Sequence, residues 1–441
     1  MENTNRSEDE RRELRRKRRM RSQMIAYIIA AVAVILMAVL IIVGIRMAVS
    51  KEQIKESVQE SQQVVLNEAI SSEEEIAPPT PEVTLPPVKT PEQMLDEFID
   101  EIVAQMPIED KVAGLFFVTP EAITDVSTAV KAGDGTKDAL NTYPVGGIAY
   151  FAKNIKDEAQ FKEMISNTVL YSKYPLFIGI DEEGGKVSRL STAGLVEKTD
   201  SAKVIGESGD PNKAYEAGVK IGSYLSGYGI NVNFAPVADI ASVENSVMKD
   251  RSYGSDAAAV SEYVVNMVKG MEEQGITPCL KHFPGIGGTA EDSHNGLATL
   301  TTSAEDFRNK EFTVFKAGID AGADMIMVGH EDAPSLTDND NTPASLSKII
   351  VTDILRGELG YKGVIITDAM NMKAISDYYG SGEAAIMAFK AGCDMVLMPE
   401  NFKEAYDAVL QAIADGTISE QRINDSLKRV YRIKYAGKFE E

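Results

Sequence analysis

The chain has 441 residues, of which 44% are hydrophobic, so it is long enough to bury a large core. Residues 1–23 carry 9 basic and 5 acidic side chains, and the remainder carries 36 basic and 62 acidic ones, so the net charge of −22 hides an acidic main body. Such a body repels a phosphate backbone and excludes a nucleic-acid partner. The two cysteines, Cys279 and Cys393, lie in apolar runs and form no disulfide framework.

The N-terminal part of the chain joins a basic tail, residues 1–23, to an apolar segment, residues 24–45. The apolar segment has no charge, and at about 1.5 Å per residue it spans roughly 33 Å, close to the thickness of a bilayer core. It is longer than the apolar region of a cleaved signal peptide and therefore predicts a retained transmembrane signal-anchor helix, although "AVS" at 48–50 leaves cleavage open. The basic flank predicts a cytoplasmic N-terminus in a single-pass protein of the cell membrane, with everything after the helix extracellular.

Residues 46–92 form the next segment, which is charged and then rich in proline. Six prolines fall between Pro78 and Pro91, a density that favours an extended, semi-rigid chain. We therefore predict an extracellular stalk over 46–92. It would carry one catalytic domain, residues 93–441, away from the membrane.

Short apolar runs and longer amphipathic stretches alternate within 93–441. The amphipathic stretches at 158–173, 257–275 and 305–322 are long enough for crossover helices. Apolar strands covered by helices indicate a parallel sheet that is buried on both faces, and eight such units fit a TIM-type (β/α)₈ barrel, although an open doubly wound sheet has a similar pattern. The eight candidate strands are 114–118, 146–151, 176–181, 231–239, 277–283, 324–330, 363–369 and 394–399.

Polar side chains at the ends of five candidate strands favour the barrel. The carboxyl ends of barrel strands converge on one face, where active sites are built. Charged or titratable groups from five strands on one rim are difficult to explain by solvation alone. These residues are Asp181, Asp239, Lys281 with His282, His330 and Asp368.

Asp368 ends the apolar strand in "GVIITDAMNM". A carboxylate in that place can be a nucleophile, a metal ligand or the N-cap of the next helix.

Asp181, followed by a Gly-Gly turn and Arg189, could accept hydrogen bonds from two neighbouring hydroxyls of a polyol, or it could form a structural pair with the arginine. Arg251 lies in a glycine-containing loop in "KDRSYGSD".

The stretch "KHFPGIGGTAEDSHNGLATL", residues 281–300, holds two of the three histidines in the chain. It lacks the "GK[ST]" of a phosphate-binding loop, and it shows no compact metal-ligand spacing. Asp292 and His294 stand two residues apart, so the carboxylate could hold one ring nitrogen while the other faces a substrate. Together with a carboxylate nucleophile, that pair has the groups needed for double-displacement glycoside cleavage.

The motifs "DEEGGKVSRL", "NVNFAPVADI", "RSYGSD", "KHFPGIGGTAEDSH" and "GVIITDAMNM" resemble glycoside hydrolase family 3, in particular its β-N-acetylglucosaminidase branch, over residues 95–432. The resemblance implies that Asp368 is the nucleophile, that His294 is the general acid/base and that Asp292 is its dyad partner. It implies no metal and no cofactor. It also implies a group of residues that hold the terminal sugar and its 2-acetamido group: Asp181, Arg189, Arg251, Lys281 and His282.

The chain departs from the family pattern in two motifs. Ile286 and Gly288 replace the second histidine and the aspartate of "KHFPGHGDT", and Glu182 and Lys186 stand in "DEEGGKV" where "DQEGGRV" is usual. None of these changes touches the proposed catalytic groups. The role of His330, in sugar binding or in support of the pocket, stays open.

These observations predict a retaining exo-β-N-acetylglucosaminidase. We expect it to remove terminal N-acetylglucosamine from peptidoglycan fragments or related cell-wall glycans, with a catalytic domain that acts as a monomer. One alternative is a β-glucosidase or β-xylosidase of the same family, from which the Asp292–His294 pair would distinguish it. The other is a non-catalytic wall-binding barrel, for which the altered loop at Ile286 and Gly288 is the only support.

Overall fold

The computed structural model describes residues 89–291, 293 and 295–439. Eight parallel strands form one sheet in the order β10-β1-β2-β3-β6-β7-β8-β9. A parallel bridge between Ile366 and Met395 joins β9 to the segment that enters β10, so the sheet curls into a barrel. The strands are β1 Phe116–Val118, β2 Gly147–Ala149, β3 Phe177–Ile180, β4 Glu182–Gly184, β5 Val187–Ser188, β6 Val232–Asn233, β7 Thr277–Phe283, β8 Met325–Val328, β9 Val364–Thr367 and β10 Val396–Leu397.

The helices lie between the strands, and several begin at a side-chain cap. Asp157, Asp256 and Asn401 each accept a hydrogen bond from a backbone N–H in the first turn, which satisfies a donor that the helix leaves unpaired. The α-helices are Pro91–Gln105, Ile108–Ala113, Pro120–Thr124, Asp134–Thr142, Glu158–Tyr171, Arg189–Thr192, Ala202–Glu207, Asn212–Gly227, Ala257–Glu272, Ala304–Asp306, Phe312–Asp320, Pro334–Thr337, Lys373–Ser376, Ser381–Ala391, Phe402–Ala414 and Glu420–Lys434. Two 3₁₀ turns, Ala152–Asn154 and Ala344–Leu346, and two π-helical segments, Phe307–Glu311 and Ile349–Glu358, complete the set.

The barrel interior is packed with apolar side chains, as expected for strands covered on both faces. Phe117 is fully buried, and its ring contacts that of Phe234 with 5.2 Å between centroids. A Cβ at either Gly147 or Gly179 would come within 2.5 Å of the Phe117 ring. These two neighbouring strands therefore use glycine where the aromatic ring needs the space.

All eight predicted barrel strands are confirmed, and the doubly wound alternative is wrong because the sheet curls round to bring β9 and β10 together. The first described helix begins at Pro91, two residues before the predicted start of the domain. The predicted tail and signal-anchor helix, and all but residues 89–92 of the stalk, lie outside the described residues. Among the residues described, none of the helices combines the length and apolar character needed to cross a membrane.

Candidate active site

A pocket of about 480 Å³ lies at the carboxyl ends of the barrel strands. It is lined by side chains from the ends of β3, β7 and β9 and from the loop after β6, so separate parts of the sequence meet there. Six of the eight residues that the sequence predicted for the site line this pocket. They are Asp181, Arg189, Arg251, Lys281, His282 and Asp368.

Lys281 is the buried centre of an ion cluster on one wall of the pocket. Its Nζ lies 2.8 Å from Oδ1 of Asp181 and 2.6 Å from Oε1 of Glu183. Arg251 donates to both carboxylate oxygens of Glu183, from Nε at 2.9 Å and from Nη2 at 2.7 Å. Arg189 donates to Oδ2 of Asp181 at 3.2 Å. Three cations and two carboxylates thus form one connected network.

The charges in this network stabilise one another against burial. Burial raises the pKa of Glu183, but Lys281 and Arg251 outweigh it and hold that pKa at about 2. The pKa of Asp181 is also lowered, because Lys281 and Arg189 outweigh its burial. Burial lowers the pKa of Lys281, and its two carboxylate partners raise it above the ordinary value. The network is therefore ionised at neutral pH and presents fixed donors and acceptors to a polyhydroxylated ligand.

Glu183 lines the pocket and belongs to this network, but it was not among the residues predicted from the sequence. Its neighbour Glu182, which differs from the family pattern, is fully buried. The Glu182 side chain accepts hydrogen bonds from the N–H of Leu190 and the hydroxyl of Tyr224, and these bonds hold the β4–β5 hairpin against the helices that follow it. Asp181 and Glu183 are two positions apart in extended chain, a spacing that places side chains on the same face. That spacing was the available signal.

Asp368 follows β9 and faces the same pocket. One carboxylate oxygen, Oδ1, accepts a hydrogen bond of 2.7 Å from the N–H of Ala369. Burial raises the pKa of Asp368, but the charges of His282 and His330, the Ala369 hydrogen bond and Lys281 lower it below the ordinary value. The next helix is Lys373–Ser376, whose N-cap is Met372, so Asp368 does not cap it.

His282 is held in place by Asp239, a fully buried carboxylate. Nδ1 of His282 lies 2.7 Å from Oδ2 of Asp239, and the backbone N–H of His282 donates to the same carboxylate at 3.2 Å. Asp239 also accepts a 2.8 Å hydrogen bond from the N–H of Ile286. Asp239 therefore fixes the imidazole and the start of the glycine-rich loop together.

His330 is buried beside the pocket without lining it. Its Nδ1 lies 2.8 Å from Oγ of Ser345, and its Nε2 lies 3.0 Å from the carbonyl oxygen of Ala369. A ring nitrogen next to a carbonyl oxygen must carry the proton, so Nε2 donates to Ala369. This contact supports the residue that follows Asp368, which favours the supporting role for His330.

Asp292 and His294, the predicted dyad, lie outside the described residues, but the loop around them has several anchors. The carbonyl of Ser293 accepts a hydrogen bond of 3.2 Å from the N–H of Ala374, and that of Thr289 accepts one of 3.0 Å from Val247. Glu291 accepts a hydrogen bond of 3.3 Å from the N–H of Thr299. These contacts connect the loop to the segments after β6 and β9.

The two departures in this loop have packing explanations. Ile286 is buried against Val237 and Met248, in an apolar cluster where an imidazole would lose its solvation. A Cβ at Gly288 would lie 2.5 Å from Oγ1 of Thr302, so this backbone position has no room for an aspartate without movement. Both replacements therefore fit the local packing.

A family model described as "Glycosyl hydrolase family 3 N terminal domain" matches residues 104–433. The chain belongs to glycosyl hydrolase family 3. The predicted membership in this family, and with it the class of glycoside hydrolases, is confirmed. The roles assigned to individual site residues stay predictions.

Two relatives of this chain are both named beta-hexosaminidases. Beta-hexosaminidase A of Pseudoalteromonas piscicida is 32% identical over 325 residues, which cover 67% of this chain and 54% of that protein. Beta-hexosaminidase LpqI of Mycobacterium tuberculosis is 34% identical over 270 residues, 59% of this chain and 68% of that protein. This chain thus matches about half of the length of one relative and two thirds of the other.

Two solved structures share the fold of this chain. The structure of a β-N-acetylglucosaminidase from Paenibacillus sp. str. FPU-7 superposes with a TM-score of 0.70 at 35% identity, over 76% of this chain and 64% of that one. The structure of LpqI from M. tuberculosis superposes with a TM-score of 0.68 at 30% identity, over 76% of this chain and 96% of that one.

Proposed function

We propose that this family 3 chain is a retaining exo-β-N-acetylglucosaminidase that removes terminal β-linked N-acetylglucosamine from peptidoglycan fragments or related cell-wall glycans. The observation that carries the proposal is the position of Asp368, an ionised carboxylate that faces the charged network around Lys281 across one pocket. A nucleophile on one side and sugar-binding groups on the other are what glycosyl transfer to an enzyme carboxylate requires.

The reaction would proceed by two displacements. In the first, a carboxylate oxygen of Asp368 bonds to the anomeric carbon while the glycosidic oxygen leaves with a proton from His294. In the second, His294 takes a proton from water, and the water oxygen displaces Asp368 with net retention of configuration. Asp181, Lys281 and Arg251 would hold the sugar hydroxyls and the acetamido group, and Asp292 would orient His294.

The substrate test compares aryl glycosides with the full chain. Asp368→Asn removes the nucleophilic charge with little change in shape, and we expect it to lower kcat on an aryl β-N-acetylglucosaminide by about 10³-fold or more. Asp320→Asn, which alters an exposed aspartate on an outer helix, is the matched control and should keep full activity. An Asp368→Asn variant with wild-type turnover contradicts the mechanism. A preference for aryl glucosides or xylosides would support the alternative within the family.

We also propose that the enzyme is anchored in the cell membrane through residues 24–45, with a cytoplasmic N-terminus and an extracellular, monomeric catalytic domain. The uncharged apolar segment and its basic flank support this location. After cell fractionation, the full chain should remain with membranes through an alkaline carbonate wash, whereas a chain that lacks residues 1–45 should not. Recovery of the full chain in the wash contradicts the anchor.

A further inference from the structure

A shallow groove lies on the active-site face of the barrel, outside the catalytic pocket. It runs between the segment after β9, residues 376–381, and the segment after β10, residues 400–404. Tyr378 stands in it with 61% of its surface exposed, the second-largest exposure among the large hydrophobic side chains described. An exposed aromatic ring in a groove is a typical contact surface for a ligand with one apolar face.

The groove and the catalytic pocket lie at opposite ends of one short helix. The short helix Lys373–Ser376 lies between them, because Lys373 lines the pocket at one end and Ser376 lines the groove at the other. At 1.5 Å per residue, these two positions are separated by about 5 Å along the helix axis. A glycan whose terminal sugar occupies the pocket therefore extends towards Tyr378 when it leaves over this helix.

The lining of the groove combines the aromatic ring with hydrogen-bonding groups of one charge. Asp377 precedes Tyr378 on one side of the groove, and the exposed residues Glu400, Asn401 and Glu404 line the other side. Carboxylates and amide oxygens accept hydrogen bonds from sugar hydroxyls, while the ring offers an apolar surface to the C–H face of a pyranose.

The groove is negatively charged, because its lining contains three carboxylates and no basic side chain. No lysine or arginine lines it, and none of Asp377, Glu400 and Glu404 forms an ion pair within the described part of the chain. Lys403, which is close in sequence, pairs instead with Asp125. A carboxylate on the ligand would therefore meet like charge, whereas an amide or an amine would not.

We propose that this groove binds the sugars on the leaving-group side of the cleaved bond and selects uncharged or amine-bearing sugars over those with a free carboxylate. The proposal rests on the proposed function and narrows its substrate class. Tyr378 supplies the stacking surface, and Asp377 and Glu400 supply the charge selection.

The charge selection can be tested with two disaccharides that differ in one group. Both carry terminal N-acetylglucosamine on N-acetylmuramic acid, one with a free lactyl carboxylate and the other with that carboxylate as an amide. The full chain should hydrolyse the amide with about three- to tenfold higher kcat/KM, a difference that shrinks in high salt. An Asp377→Asn/Glu400→Gln variant should lose most of this preference, and a Glu262→Gln/Asp320→Asn control should keep it.

The stacking contact can be tested with the N-acetylglucosamine tetramer and an aryl N-acetylglucosaminide. Tyr378→Ala should lower the ratio of their kcat/KM values by about three- to tenfold, the range expected from loss of one aromatic contact. Leu170→Ala alters an apolar side chain that is 74% exposed outside the groove and should leave the ratio unchanged.

The two proposals fail in different ways. An unchanged ratio in Tyr378→Ala together with equal rates for the two disaccharides in the wild type overturns the groove and leaves the proposed function intact. A wild-type chain that cleaves no N-acetylglucosaminide overturns the proposed function. In that case, calorimetric titration of the full chain with both disaccharides decides on the groove: tighter binding of the amide supports it, and equal affinities or no binding overturns it.

Discussion

Glu183 connects two cations, Lys281 and Arg251, on one wall of the pocket. Lys281 and Arg251 both contact it, and its side chain is only 6% exposed. Removal of one member of a buried ion cluster leaves the others uncompensated, which costs more than the cluster itself contributes. Glu183 therefore contributes to the stability of this wall of the pocket.

The Glu183→Gln variant keeps the shape of the side chain and removes its charge. Because the pKa of Glu183 falls from 4.5 to about 2 on folding, its charge stabilises the fold above pH 4.5, and this stabilisation is lost as the pH falls towards 2. We expect the variant to lose about 3 kcal/mol of unfolding free energy at pH 7 and to approach the wild type near pH 2. KM for the aryl substrate should rise about tenfold or more.

Urea unfolding of both proteins across this pH range checks the prediction. Asp320→Asn is again the control, since its carboxylate is exposed on an outer helix. Equal stability of Glu183→Gln and wild type at pH 7 would show that the two cations find other compensation.

The sequence predicted which residues of the pocket meet, but not how they are connected. Asp181, Lys281 and Asp368 lie at the carboxyl ends of apolar strands. A barrel brings these ends together on one face, even where the predicted strand limits are off by a few residues. The contacts among these side chains depend on rotamers and on the turn of the β4–β5 hairpin, which leave no periodic pattern in the sequence. The two-residue spacing from Asp181 places Glu183 on the same face of the extended chain, but it does not show that Glu183 contacts Lys281 and Arg251.

At the scale of elements, the π-helical segment Phe307–Glu311 packs against the start of the glycine-rich loop through Glu311. Gly285 has a φ of +119°, and a Cβ there would lie 2.4 Å from Cγ of Glu311. The carboxyl of Glu311 is almost fully buried, and its Oε2 has no hydrogen-bond partner among the described residues. Burial raises the pKa of Glu311 to about 7, with Asp239 and Asp306 adding to the rise and Lys310 opposing it.

Because the pKa of the Glu311 carboxyl is raised in the folded state, the unfolding free energy of the protein decreases as the pH increases. The folded state holds the proton of Glu311 up to pH 7 and the unfolded state only up to 4.5, so the unfolding free energy falls between these values. Glu311→Gln removes the titration, and we expect it to stabilise the protein by about 2 kcal/mol at pH 8 and by little at pH 5. Melting temperatures at both pH values provide the measurement; a variant that is less stable at pH 8 contradicts the assignment.

The sequence predicted a continuous helix over 305–322, whereas the chain forms a short α-turn, the π-helical segment and then the α-helix Phe312–Asp320. Apolar spacing gives the buried face of a helix but does not separate 3.6 residues per turn from a locally wider one. The predicted helices over 158–173 and 257–275 have no such segment, and there the structure differs only by two or three residues at the C-terminal end. The spacing of apolar residues was therefore sufficient to predict those helices that are α-helical throughout.

At the scale of the whole molecule, Asp394 joins the last helix to the barrel. It is fully buried just before β10, and its carboxylate accepts hydrogen bonds from the N–H of Ile365 at 2.9 Å and from Oγ of Ser426 at 2.7 Å. Arg429 donates to it at 3.0 Å, and Arg356 contacts its other oxygen. One carboxylate thus ties β9, the segment Ile349–Glu358 and the helix Glu420–Lys434 together.

Asp394→Asn tests how far this one group holds the barrel closed. The amide keeps the size of the side chain but leaves the partly buried guanidinium groups without their fully buried counter-charge, so we expect a loss of about 3 kcal/mol. For a domain of this size, that loss lowers the melting temperature by about 5 °C, with a cooperative transition retained. Asp320→Asn should shift the melting temperature by less than about 1 °C. If Asp394→Asn has the same melting temperature as the wild type, the charge of Asp394 is not needed to keep the barrel closed. Apolar packing between the last helix and the strands is then the dominant interaction.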